Sequence, residues 1–111
     1  MGNEDVFQNE ILSMTTAQPG WTVHVKVQAH VKESGERWVD DEGVFPIVGW
    51  AVVACHYRDG GVKNNVEAVF VTSAGRLEHE SFYRWQYTDL EPRAGEPKMT
   101  VSFAIREPGA E

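Results

Sequence analysis

The sequence predicts an all-β domain: a small antiparallel meander of five to six strands, closed as a barrel or folded as a sandwich, with one short N-terminal helix. Three observations predict it. Trp21, Val23, Val25, Val27, Ala29 and Val31 alternate with polar residues, the period of a half-buried strand. Turn signals rich in glycine (33–36, 58–61, 73–75) recur between apolar runs. A chain of 111 residues with a single cysteine has room for one core and no disulfide to staple it.

Taken in order, residues 4–14 fit a helix: Asn3 is a suitable N-cap, Glu4 and Asp5 suit the first turn, and Phe7, Ile11 and Met14 fall at i, i+4 and i+7. Gln18-Pro-Gly ends that segment, and the long strand from Trp21 follows. Glu33–Glu36 is a turn, Arg37–Val39 a brief return, and Asp40–Gly43 an acidic turn closed by glycine. Residues 44–57 are almost continuously apolar, with Pro46 at the entry and the Arg58–Gly61 turn at the exit. Val66–Thr72 is its partner strand, residues 76–83 follow a second turn, 90–97 read as loop, and Met99–Arg106 alternate as a last strand. The expected organisation is one domain, with 1–19 as helix or flexible segment, 20–106 as the β-domain and 107–111 as tail.

Within 47–57 both alternating sets of side chains are apolar, so this strand requires cover on both faces. Either the N-terminal helix or a second copy of the chain would supply it.

The formal net charge is −7, and residues 1–43 account for −5 of it. Such a field repels phosphate backbones and disfavours nucleic-acid binding; its plainest role is solubility. No apolar window approaches a membrane span and no secretory leader is evident, so the expected compartment is the cytoplasm, which also suits a lone, apolar-flanked Cys55.

Motifs for chemistry are sparse. His24 and His30 lie six residues apart, about 20 Å along a strand, too far to share a metal. Glu78 and Glu80 would stand about 6.6–7 Å apart on one face with His79 on the other, a spacing of paired catalytic carboxylates but also of any solvated strand face. Asp40-Asp41-Glu42 lacks the ligand spacing of a calcium loop. Cys55 and His56 are strand neighbours pointing to opposite faces, and no serine sits in a nucleophile elbow. No cofactor and no metal are expected.

One segment stands out. If residues 81–87 are extended, Tyr83, Trp85 and Tyr87 form a row of amphipathic rings, with Arg84 and Asp89 as the adjoining polar contacts. The functional expectation is a non-catalytic interaction module that binds a protein partner or itself through this apolar and aromatic sheet face. The alternative is a small-molecule-binding barrel, or a minor enzyme, with a pocket lined by Trp, Tyr and His.

Overall fold

The computed structural model describes residues 6–88 and 92–109. In chain order the elements are β1 (Val6–Thr16), β2 (Thr22–His30), β3 (Arg37–Tyr57), β4 (Val62–Val71), β5 (Leu77–His79), α1 (Glu80–Thr88) and β6 (Lys98–Arg106). The chain is mostly β, as its alternation implies. The strands form a six-stranded antiparallel sheet ordered β5-β4-β3-β2-β6, with β1 joined to β3.

Every other strand is organised around β3. Its first half, Arg37–Pro46, pairs with β2; its second half pairs with β4 on one side (Ile47–His56) and β1 on the other (Gly49–Tyr57). The link between β1 and β2 stays tied to β3 through Ala17 N–H to the Val48 carbonyl and Ile47 N–H to the Trp21 carbonyl. Pro46, which has no N–H to give, sits where the partners change. A straight strand of 21 residues would run about 70 Å. The longest dimension of the molecule is 44 Å, so β3 bends strongly. The register slips between Ile47 and Gly49, placing a bulge beside the changeover.

The main core lies where the bent halves face one another. Val23, Val25 and Val27 of β2 and Val101 of β6 pack with Ile47, Ala68, Phe70 and Tyr83. Phe70 is fully buried and contacts the rings of Phe45, Tyr83 and Phe103, while Trp21 meets Trp50 edge-on. The opposite face of the second half carries a smaller cluster of Ala51, Val53, Cys55 and Val69, flanked by Tyr57. Both faces of 47–57 are thus apolar in the structure, as the sequence requires.

Four expectations are corrected. The N-terminal helix over 4–14 is not formed: residues 6–16 are β1, and residues 4 and 5 lie outside the described part. The open backbone edge of β3 outweighs a helical spacing of three apolar residues, as Ile11, Thr15 and Thr16 are at ease in a strand. Asp40–Gly43 is not a turn but part of the first half of β3: Asp41, Glu42 and Gly43 pair with Val27, Lys26 and Val25, and a register shift falls at Asp40. Residues 76–83 supply only the three strand residues of β5 before α1 begins. The sheet is not closed, so the barrel is not formed; α1 packs on β6, β4 and β5 and also meets β1.

Gly49 allows β1 to approach. A Cβ there would lie 2.8 Å from the Thr15 carbonyl oxygen, a backbone atom that cannot swing away. Gly49→Ala is expected to cost about 1–3 kcal/mol and to speed amide exchange across residues 8–16 more than across β2. Uniform exchange in both strands would count against this role.

Candidate functional site

The row of rings expected from residues 81–87 is absent because these residues are helical, and the helix turns them in different directions. Tyr83 is buried in the main core against Phe70 and Phe103, and Tyr87 packs beside it at 5.4 Å between ring centroids. Burial and the adjacent Tyr87 push the Tyr83 phenol far above its ordinary range. Arg84 lies 5.1 Å over the Phe103 ring and donates to the Val101 carbonyl, tying α1 to β6. Trp85 stacks instead on Phe82, which neighbours His79. Asp89 lies outside the described residues.

A polar network with little local signal in the sequence lies at the junction of β5 and α1. Register places Glu67 of β4 opposite Ala51 of β3, on the face carrying Cys55. Glu67 is 5% exposed and accepts three hydrogen bonds: from His79 Nδ1 at 2.9 Å, from the Ser81 backbone N–H at 2.8 Å and from Ser81 Oγ. Burial alone would raise the Glu67 carboxyl, but the bonds from His79 and Ser81 outweigh it and hold the group below its usual value. An ionised carboxylate only accepts, so His79 carries its proton on Nδ1. Ser81 has committed its hydroxyl proton to Glu67, so the 3.6 Å contact to Cys55 Sγ has the thiol as donor, and Asn65 Nδ2 in turn donates to that sulfur at 3.7 Å. Every donor from Asn65 onward points toward one anion.

Glu80 supports the same junction. Strand pairing ends at Val69 with His79, and the next free donor on that edge, Ala68 N–H, is taken by Glu80 Oε2 at 2.7 Å. Burial raises the Glu80 carboxyl above its ordinary value despite that bond. Together Glu67 and Glu80 satisfy backbone donors where a strand becomes a helix, and Glu67 adds negative charge at the helix start.

The network is built to anchor. Cys55 is 2% exposed, and its sulfur is enclosed by Ser81 and Asn65, so it is closed to a substrate in solution. Glu67 is a weakened base, engaged on both oxygens. Among the described residues no group of three or more His, Cys, Asp or Glu could hold a metal ion, and no helix is long and apolar enough to cross a membrane.

The surface carries a different feature. Strand β1 pairs only with β3, leaving its outer edge without a strand among the described residues. Ile11, Leu12 and Met14 are 51%, 52% and 57% exposed along it. Ile11 and Met14 share a face, opposite Val53 and Ala51, and a register shift at Leu12 adds a third apolar side chain beside them. The lone charge on β1, Glu10, is approached by His56 Nε2 at 3.5 Å.

The Glu67 junction predicts a pH response with a defined sign. The folded carboxyl titrates below its reference value of 4.5, so its stabilisation is complete above that value and is lost as pH falls through the folded pKa. Glu80 has the opposite sign: its raised pKa weakens the fold as pH rises past 4.5, until it is fully ionised. Glu67→Gln is expected to cost about 2–3 kcal/mol at pH 7 and to flatten the acid-side loss in urea unfolding. Glu80→Gln should instead remove the decline above pH 4.5. Equal pH profiles in both variants and the parent would refute the assignment.

Comparison with protein-family models, with curated proteins and with solved structures finds no match to this chain.

Proposed function

We propose that this chain is a non-catalytic interaction module that binds a protein, another chain or its own copy, through the apolar outer edge of β1 and the sheet beside it. The observation that supports this most directly is the exposure of Ile11, Leu12 and Met14 on a strand that, among the described residues, has one side without a paired strand. Natural edge strands are usually blunted by lysine, proline, inward charge or extreme shortness, because an open edge templates pairing with another chain. Strand β1 has eleven residues, no lysine, no proline and one charge.

The other free edges carry protection. Strand β5 has three residues before α1 takes over. The first half of β3 bears Asp40, Asp41 and Glu42. Strand β6 ends in Lys98 and Arg106, and α1 backs it more extensively than it meets β1. The contrast supports the reading of β1 as an edge open to a partner. Acidic character elsewhere fits a protein that avoids nucleic acid and indiscriminate contacts.

The test uses the double substitution Ile11→Lys with Met14→Lys. Both residues are more than half exposed, so at micromolar concentration the urea midpoint should change by no more than about 0.5 kcal/mol in stability. Binding of the apolar dye 1-anilinonaphthalene-8-sulfonate to the dilute, folded chain should fall several-fold. Unchanged dye binding, or loss of several kcal/mol, would show that these residues do not form an available surface.

A further inference from the structure

Building on that reading, we propose that the occupant of the β1 edge is a second copy of this chain, joined by antiparallel β1–β1 pairing about a two-fold axis between Leu12 and Ser13. Three observations converge on a self-pairing edge.

The first is area. A compact monomer of 12.5 kDa exposes about 6,200 Å², whereas this chain exposes 7246 Å². The excess is about 1,000 Å², close to the roughly 800 Å² that each partner buries in a standard stable interface. The radius of gyration agrees: it is 15.1 Å against about 13 Å for a compact chain of this length.

The second is self-complementarity. Antiparallel pairing about that axis sets Ile11 opposite Met14 of the second copy and Met14 opposite its Ile11, closing a four-residue apolar cluster next to Val53 and Ala51. The twist that the register shift at Leu12 introduces is identical in both strands, so they match through it.

The third is charge. Each chain carries −7, which opposes association of any two surfaces. In this pairing Glu10 faces Thr15 of the second copy, and the two Glu10 residues stand about five residues apart, roughly 17 Å. That is about twice the Debye length of roughly 8 Å at physiological salt. No basic group on β1 selects an acidic partner, and its one acid is met by His56. The result is one continuous sheet running from β4 of one chain through both β1 strands to β4 of the other.

Sedimentation equilibrium, with nitroxide distance measurement on single-cysteine labels, tests the proposal. Cys55 is buried, so a cysteine placed at Ser13 or Gln8 takes the label alone. The expected result is a dimer whose Ser13→Cys labels lie within about 20 Å and whose Gln8→Cys labels lie about 30 Å apart. Ile11→Lys with Met14→Lys should weaken the dimer more than about tenfold, and added salt should strengthen it. Equal short distances at both positions would mean parallel pairing, and long distances at both would mean another interface; either overturns the proposal. A chain that stays monomeric at high concentration, while its dye binding still depends on Ile11 and Met14, would overturn self-pairing and leave a heterologous partner for the same edge.

Discussion

The backbone of β3 sets the terms for everything else. Twenty-one consecutive strand residues present donors and acceptors on two sides, and nearly all that become buried must be paired. Strands β2, β4 and β1 meet that demand in sections, and the sections differ in direction because β3 bends. The bend turns a ribbon longer than the molecule into two facing halves, and the aromatic core of Phe45, Phe70 and Phe103 fills the angle between them. A β1 helix lying on the sheet would have covered apolar side chains but left the β3 edge unpaired. Pairing the edge is the better solution, since a buried unpaired amide costs about 1–3 kcal/mol.

The Glu67 network solves the matching problem at the other side of the sheet. Strand β5 stops after three residues, and β4 continues without it. Two carboxylates replace the missing strand: Glu80 takes the next backbone donor, and Glu67 gathers the first turn of α1 through Ser81. This placement fixes Tyr83 in the core and Arg84 against β6, so the open end of the sheet is plugged by a helix of nine residues. The acid in the middle of an apolar strand is therefore what allows the sheet to remain open without fraying.

Much of the fold was legible because it rests on period-two patterning. The β2 and β6 alternation and the doubly apolar run at 47–57 can each be read without structure. What could not be read depends on partners distant in sequence. Nothing local distinguishes residues 6–16 as strand from helix, because the deciding factor is the empty edge of β3 some forty residues later. Asp40–Gly43 has the composition of a turn, and the pairing of Asp41, Glu42 and Gly43 with Val25–Val27 keeps it within the strand. For the ring row, the period was ambiguous: Phe82, Tyr83, Trp85 and Tyr87 suit either structure, and the helix start depends on Glu67, thirteen residues before Glu80. The one local signal for the network was a glutamate interrupting Val66–Val71 on the same face as Val69, where a solvated strand would not place an apolar neighbour.

The distribution of charge gains a structural meaning from these edges. By composition alone, Asp40, Asp41 and Glu42 look like a solubilising turn. In the structure they line a stretch of β3 that, among the described residues, has a strand on one side only and also carries exposed Trp38, Val39 and Val44. Three carboxylates on that edge oppose pairing with an identical edge through like-charge repulsion, the protective device that β1 lacks. Both edges belong to strands with exposed apolar side chains, yet one is guarded by charge and the other is nearly neutral. Uniform acidity would protect both equally; the uneven placement leaves β1, of these two edges, as the one where association would meet the lesser electrostatic resistance.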